Sequence, residues 1–222
     1  MSPILVFDLD GTLVDSVPDL MTALNRLLAA RGLAPFDAAG TAAMVGDGAA
    51  VLVERAFAAR GGAADAEAIE SLVADYTAHA TEASRLYSGV AETLTALADD
   101  GWLLAVCTNK PVAAARVVLD GLGLAGRFAA IGGGDSFPAR KPDPAHLLAT
   151  IAAGGGVAEA AVMVGDHAND VAAARGAGLP CIFASWGYGR PEMAAGAAAA
   201  AARIAAVPAI AARLLRREQI RG

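Results

Sequence analysis

Short apolar runs separated by stretches of helical length organise this chain. The runs lie at residues 4–7, 102–107, 128–131, 161–164 and 179–184. Runs of this length that end in turn residues are typical of buried strands. The intervening stretches predict helices, and they lie at residues 90–98, 111–122, 144–153 and 171–177. Strands that alternate with helices predict an α/β protein with a doubly wound parallel sheet and right-handed crossovers.

A helical segment separates the first strand from the rest of this pattern. Its first part carries leucines at spacings of three and four, which share one helix face: Leu20, Leu24, Leu27 and Leu28. Further helical patterns follow at residues 36–45, 49–60 and 66–84, with no strand pattern between residues 17 and 87. We therefore predict a core of residues 1–16 and 88–222 and an inserted helical cap domain of residues 17–87.

Composition limits the class of protein. The chain has 222 residues, of which 56% are hydrophobic and 18% charged, and this balance predicts a globular fold. The net charge of −6 argues against general nucleic-acid binding. No apolar run is long enough for a membrane span and no signal peptide is evident, so we expect a cytoplasmic protein. Cys107 and Cys181 lie in apolar runs and are expected to be buried free thiols.

Polar residues that are candidates for catalysis or ligand binding lie where the predicted strands end. Asp8 and Asp10 follow the first strand, and carboxyl ends of parallel strands are where α/β sheets bind ligands. Two neighbouring carboxylates repel each other unless a cation or a shared proton balances their charge. An ordinary solvated turn is the alternative for this pair, because Asp and Gly are common turn residues.

Later strand ends repeat this arrangement. Thr108 and Asn109 follow the second strand, where a hydroxyl, an amide and free backbone N–H groups suit a phosphate oxygen. Lys141 lies after the third strand, and Asp166 and Asp170 follow the fourth. Taken singly, these residues have ordinary alternatives as a helix cap, a surface lysine and acids that favour a helix dipole.

The segment VFDLDGTLVDS at residues 6–16 resembles the first motif of the haloacid dehalogenase (HAD) superfamily of phosphotransferases. Thr108, Lys141 and the acidic pair after the fourth strand match the remaining motifs in order. Finer resemblance to the bacterial phosphoglycolate phosphatases lies in CTNKP, GGDS, KPDP, VGDHAND and VGDGA, which begin at residues 107, 133, 141, 164 and 45. The sequence departs from relatives at His167, where serine is common, and at Asp47, where asparagine is common.

The resemblance implies a reaction with named roles. Asp8 is expected to attack phosphorus and form an aspartyl-phosphate, while Asp10 protonates the leaving oxygen and then activates water. The implied cofactor is Mg²⁺, with Asp8, the Asp10 main-chain carbonyl and Asp166 as ligands. The implied phosphate ligands are Thr108, Asn109 and Lys141. The implied supporting residues are Asp170, which orients Lys141 or a metal-bound water, and His167.

The expected substrate is a small phosphorylated metabolite, with 2-phosphoglycolate favoured by the resemblance. The expected specificity segment of the cap is Gly46, Asp47 and Gly48, where glycines permit close approach and a helix begins. Arg55 on that helix is a candidate for an added positive charge, although an ordinary surface arginine is the alternative. Asp47 is expected to cap the helix, since it sits awkwardly beside an anion. The family also implies a short late strand near residues 202–204, and we expect a monomer or homodimer.

Other functions remain open to test. A dehalogenase would not keep the second carboxylate, Asp10. A sugar phosphomutase of this fold uses both aspartates, but its relatives usually carry valine or isoleucine at the position of Thr12. A phosphatase for another small ester, such as a sugar phosphate or pyrophosphate, fits the same motifs. A non-enzymatic binding module is disfavoured because the motif residues are intact.

Overall fold

The fold is a parallel sheet covered by helices on both faces. The structure is a computed structural model that describes residues 2–219; residues 1 and 220–222 lie outside this range. The strands are β1 Ile4–Phe7, β2 Val14–Asp15, β3 Arg85–Leu86, β4 Leu103–Cys107, β5 Ala130–Gly132, β6 Ala161–Gly165, β7 Cys181–Ala184 and β8 Ala199–Ala201. The helices are α1 Val17–Ala30, α2 Ala38–Ala42, α3 Ala49–Ala58, α4 Ala66–His79, α5 Val90–Asp99, α6 Val112–Gly121, α7 Pro144–Ala153, α8 Ala168–Gly176 and α9 Val207–Gln219.

The sheet has six strands in the order β5-β4-β1-β6-β7-β8, and all of its pairings are parallel. β1 lies between β4 and β6, with Phe7 in register with Val106 on one side and Val164 on the other. The chain order reverses at β1, so the carboxyl end of this strand is the switch point at which open α/β sheets bind ligands. The predicted doubly wound sheet is confirmed.

Side chains of β1 explain the two helical layers. Ile4 and Val6 pack with the buried residues of α7 and α8, whereas Leu5 and Phe7 pack with those of α5, α6 and α9. All four are fully buried. A strand that is apolar on both faces requires cover on both faces, which is why the run lacks polar alternation.

A helical insertion, formed by α1 to α4, lies between β2 and β3. These two short strands pair antiparallel, with Val14 opposite Leu86 and Asp15 opposite Arg85. The prediction of no strand between residues 17 and 87 was therefore wrong at its end, because a two-residue strand carries no periodicity that a sequence could reveal. The pairing places the entry and exit of the insertion side by side.

Several predicted boundaries moved. The late strand is β8 at Ala199–Ala201, not residues 202–204, and a 3₁₀ turn follows at Ile204–Ala206. The helices predicted at residues 36–45 and 66–84 are shorter, as α2 and α4. Both cysteines are free and buried, as expected. No helix within residues 2–219 combines the length and apolarity needed to cross a lipid bilayer.

Candidate active site

Asp8 occupies the centre of the site, directly after β1. Its backbone N–H donates to the Val164 carbonyl at 2.9 Å, and its Oδ1 accepts a hydrogen bond from the Leu9 N–H at 2.7 Å. Lys141 Nζ lies 2.9 Å from the same carboxylate. Burial raises the pKa of Asp8 to about 6, although Lys141 opposes this rise. The carboxylate is thus oriented by the strand end and poised near one ammonium group.

Asp8 belongs to a buried acidic cluster with Asp166 and Asp170. One carboxylate oxygen of each lies within 4.8 Å of the others. Burial, followed by the charge of Asp8, raises the pKa of Asp166 to about 7. Hard oxygen donors crowded in this way suit Mg²⁺, which would neutralise their charge. The residues therefore fit a divalent cation, and the Asp10 carboxylate is not one of the three.

Backbone and hydroxyl donors orient Asp166 within the cluster. Its Oδ1 accepts a hydrogen bond from Thr12 Oγ1 at 2.9 Å. Its Oδ2 accepts from the backbone N–H groups of Tyr188 and Gly189 at 2.8 and 3.2 Å. Gly11 has φ +82°, and a Cβ there would overlap the Asp166 carboxylate. Sequence reasoning missed the contribution of residues 188 and 189, since nothing in their pattern points to a site.

Lys141 and Asp170 form a fully buried pair. Nζ of Lys141 lies 2.6 Å from Oδ1 of Asp170, while Oδ2 accepts from the His167 N–H at 2.9 Å. Lys141 is also fixed through its backbone, because its N–H donates to Nδ1 of buried His146 at 3.2 Å. Burial and the Lys141 charge lower the pKa of His146 to about 4, so this imidazole is neutral near pH 7.

Asp10 is not part of the acidic cluster and pairs with Lys110. Nζ of Lys110 lies 2.6 and 2.8 Å from the two Asp10 oxygens. The ammonium also lies 4.4 Å from the ring centroid of Tyr76, on α4 of the insertion. Burial lowers the pKa of Lys110, but the Asp10 carboxylate more than offsets this and the net shift is upward. The sequence motif contained Lys110, yet no pattern indicated a partner so distant in the chain.

Asn109 contacts the insertion. Its Nδ2 donates to the Gly46 carbonyl at 3.0 Å and to the Lys141 carbonyl at 2.9 Å. Both side-chain hydrogens of Asn109 are therefore engaged, which leaves its backbone as the group available to a phosphate. Thr108 beside it is buried, and its Oγ1 accepts from the Lys110 N–H at 3.2 Å.

The loop of Gly46, Asp47 and Gly48 packs directly on the core. Asp47 accepts a hydrogen bond from Asn169 Nδ2 at 2.6 Å and pairs with Arg55 at 2.6 Å. The expectation that Asp47 caps α3 was wrong, because the cap position is Gly48 and no side chain bonds there. Gly46 and Gly48 have φ of +123° and +90°; a Cβ on Gly46 would strike His167, and one on Gly48 would crowd the Asn109 backbone.

Two cavities meet at the aspartates. The inner one, of about 60 Å³, lies between core and insertion and is lined by Asp8, Asp10, Lys110 and Tyr76 together with apolar residues. The second one, of about 410 Å³, also lies between core and insertion and borders Asp166, His167 and Arg190. Asp8 and Asp10 border both cavities, so a ligand in either one would meet these two residues.

Comparison with known proteins shows the family to which the chain belongs. A sequence model of the haloacid dehalogenase-like hydrolases matches residues 3–178, and the chain belongs to this family. The phosphoglycolate phosphatase of Agrobacterium fabrum (strain C58) is 46% identical over 192 residues, which cover 85% of this chain and 82% of that protein. The phosphoglycolate phosphatase of Rhodospirillum rubrum is 46% identical over 202 residues, covering 87% and 84%.

Solved structures show the same fold. A protein from Haemophilus somnus 129pt, described as a predicted phosphoglycolate phosphatase, superposes with a TM-score of 0.87 at 31% identity and covers 94% of this chain and 97% of that one. CbbY from Rhodobacter sphaeroides, in complex with phosphate, has a TM-score of 0.80 at 25% identity and covers 92% and 96%.

Proposed function

We propose that the chain is a Mg²⁺-dependent phosphomonoesterase that hydrolyses 2-phosphoglycolate to glycolate and phosphate. The observation that carries the proposal is the buried cluster around Asp8, which holds a nucleophilic carboxylate between Lys141 and two further acids. The phosphoglycolate phosphatases at 46% identity support the choice of substrate.

The Asp8 carboxylate attacks phosphorus and forms an aspartyl-phosphate as the bond to the leaving oxygen breaks. Asp10 gives a proton to that oxygen, and glycolate departs. Asp10 then takes a proton from water, which attacks the aspartyl-phosphate and releases phosphate. The phosphoryl oxygens are held by Lys141, the Thr108 hydroxyl and the Asn109 backbone N–H, which neutralise their charge throughout.

Asp8, Asp166 and the main-chain carbonyl of Asp10 would hold Mg²⁺. When bound, the ion supplies positive charge that lets the carboxylate approach an anionic phosphate. Asp170 acts through Lys141, since their 2.6 Å contact fixes the ammonium group that faces Asp8. His167 closes the helix start beside it, where its Nδ1 accepts from the Asn169 N–H at 3.2 Å.

Residues 17–87 form the cap domain in this proposal, and the remainder forms the core. Contacts of the Gly46 carbonyl and Asp47 with Asn109 and Asn169 hold the cap against the site. Closure excludes water while the aspartyl-phosphate exists. The Gly46–Gly48 loop sits at the junction and restricts what can be attached to the phosphate, and Arg55 acts by holding Asp47.

The test is release of inorganic phosphate from a panel of small esters with Mg²⁺. We expect 2-phosphoglycolate to give the highest kcat/KM, activity to vanish with chelator and to return with Mg²⁺, and Ca²⁺ to inhibit because its longer bonds misplace the carboxylate. Conversion of a sugar phosphate without net phosphate release would identify a mutase instead. Full activity in chelator would remove the metal from the mechanism, and no turnover on any ester would favour a binding module.

A further inference from the structure

The ion pair with Lys110 holds Asp10, the proposed proton donor, in a fixed position. Both Asp10 oxygens are bound by one ammonium group, at 2.6 and 2.8 Å. The exposed side-chain fractions are only 6% for Lys110 and 13% for Asp10, so water competes poorly for either group. A carboxylate with both oxygens held in this way has none directed at a leaving oxygen. Asp10 must leave Lys110 before it can serve as the acid.

We propose that Lys110 is the binding site for the carboxylate of the substrate, and that occupation of this site releases Asp10 for proton transfer. The inference rests on the proposed function and deepens it. In 2-phosphoglycolate the carboxylate is attached to the carbon that bears the leaving oxygen. The group that protonates that oxygen and the group that binds the carboxylate must therefore be neighbours, as Asp10 and Lys110 are.

The surroundings of Lys110 favour exchange of one anion for another. The inner cavity contains Asp8 and Lys110 together, and its cap side is largely apolar, lined by Leu52, Leu72 and Tyr76. A buried ammonium group in such a place needs an anionic partner at all times. A substrate carboxylate supplies a second candidate, whereas a neutral ester supplies none and leaves Lys110 on Asp10.

Tyr76 provides an independent indication of a ligand. The side chain is 4% exposed, its ring lies under the Lys110 ammonium, and its hydroxyl has no hydrogen-bond partner among residues 2–219. A buried hydroxyl without a partner costs free energy, and an entering carboxylate would accept its hydrogen bond. The proposed carboxylate site thus consists of Lys110 from the core and Tyr76 from the cap, and it is complete only when the cap lies against the core.

The exchange conserves charge and protons in a simple way. The ammonium group of Lys110 passes from the Asp10 carboxylate to the substrate carboxylate, with no covalent bond made or broken. Asp10 takes up a proton from bulk solvent as the ion pair opens and gives it to the leaving oxygen. It regains a proton from the hydrolytic water and releases that proton to solvent when it returns to Lys110. Selectivity for a substrate carboxylate then appears in kcat as well as in KM. An ester without a carboxylate still binds through its phosphate, but Asp10 stays paired with Lys110 and does not protonate the leaving oxygen.

The experiment measures the turnover of two esters of similar size by the Lys110→Met variant. One is 2-phosphoglycolate, and the other is 2-hydroxyethyl phosphate, which has a hydroxymethyl group in place of the carboxylate. We expect kcat/KM for 2-phosphoglycolate to fall about 10- to 100-fold, the range for a lost hydrogen bond to a charged group. Turnover of 2-hydroxyethyl phosphate should rise, since Asp10 is no longer held. Lys110→Arg, which keeps the charge, should recover part of the preference. A fall on both substrates alike would assign Lys110 a structural role and overturn the proposal.

Acetate provides a second test that needs no variant. It should raise kcat for methyl phosphate in the wild-type protein, because it fills the Lys110 site while the ester supplies the phosphate, and it should compete with 2-phosphoglycolate. The proposal would be contradicted if acetate failed to raise kcat for methyl phosphate at concentrations that inhibit the hydrolysis of 2-phosphoglycolate. The proposed function fails separately, if the wild-type protein shows no preference for 2-phosphoglycolate over 2-hydroxyethyl phosphate.

Discussion

Lys141 joins carboxylates from two different parts of the core. It contacts Asp8 after β1 at 2.9 Å and Asp170 in α8 at 2.6 Å, and its side chain is almost fully buried. One ammonium group between two acids fixes the direction of the Asp8 carboxylate, the nucleophile of the proposed mechanism, which a flexible surface lysine would not do. Removal of the Lys141 ammonium group would leave two buried carboxylates without compensation, so we expect the site to be sensitive to substitution of this lysine.

Replacement of the nucleophile tests the assignment at residue level. Asp8→Asn is nearly isosteric, but an amide is a poor nucleophile, so turnover should fall by at least about a thousandfold. Its Tm at pH 7 should not fall, because burial already disfavours the charged form of Asp8. Asp37→Asn, at the start of α2 and outside the site, should keep wild-type activity. Phosphate release and thermal unfolding give the two measurements, and substantial turnover by Asp8→Asn would refute the assigned role.

His146 predicts a pH dependence of stability. Its folded-state pKa is lowered to about 4 from 6.5, so the unfolded chain binds a proton that the folded chain does not. The stabilisation is full above pH 6.5 and is lost as pH falls toward 4, at about 1.4 kcal/mol per unit at most. In urea unfolding with chelator, His146→Gln should lose about 2–3 kcal/mol less than wild type between pH 7 and 4.5. Parallel losses in both proteins would contradict a buried neutral imidazole.

At the scale of elements, the Gly46–Gly48 loop and the start of α8 form one of the contacts between insertion and core. Asn169 donates to Asp47 at 2.6 Å and to the Gly46 carbonyl at 3.3 Å, and Asn109 donates to the same carbonyl. These bonds hold the insertion against the core without involving the acidic cluster. Their loss should therefore affect closure more than the chemical step.

Asn169→Ala tests this separation. Loss of the amide should raise KM about 3- to 10-fold, as for a hydrogen bond worth 0.5–1.5 kcal/mol, while kcat changes less. Asn25→Ala is the matched control, because Asn25 bonds Phe36 inside the insertion and does not reach the core. The control should lower Tm but not raise KM. Equal KM values for wild type and Asn169→Ala would show that the loop contact plays no part in substrate binding.

The sequence predicted elements where apolar patterns were strong and failed where they were weak. β1 and α7 were predicted to the residue, since an apolar run and a proline start mark them. β8 was placed three residues too late, because the run of alanines around Ala199–Ala201 has no periodicity. In the site, the motifs located the acids, but the pairing of Lys110 with Asp10 and of Asp47 with Asn169 depends on how distant segments meet, which no local pattern encodes.

At the scale of the whole molecule, the loop after β7 connects the acidic cluster with the base of the insertion. The Tyr188 N–H donates to Asp166 at 2.8 Å. Its hydroxyl accepts from the N–H groups of Ser16 and Val17 at 2.7 and 3.1 Å and donates to Asp15 at 2.8 Å. One residue thereby contacts both the acidic cluster and the first turn of α1, where the insertion begins.

Tyr188→Phe separates these two contacts. The backbone bond to Asp166 remains, so Mg²⁺ affinity should stay close to wild type. The hydroxyl bonds are lost, and hydrogen exchange at Ser16 and Val17 should accelerate about tenfold, as for a hydrogen bond worth about 1–1.5 kcal/mol. Amides of β1 serve as the internal reference and should keep their protection. A large loss of Mg²⁺ affinity with unchanged exchange would contradict this division of roles.

The β2–β3 pairing has a consequence for evolution and engineering. Asp15 and Arg85 are directly opposite each other, so the ends of the insertion are about 5 Å apart, the spacing of paired strands. In the two-stranded sheet of β2 and β3, the whole helical segment takes the place of a hairpin loop. None of the strand pairings of the six-stranded sheet involves a residue of the insertion. We expect that another helical segment can be grafted between the same two strands, giving the same phosphoryl chemistry a different repertoire of leaving groups.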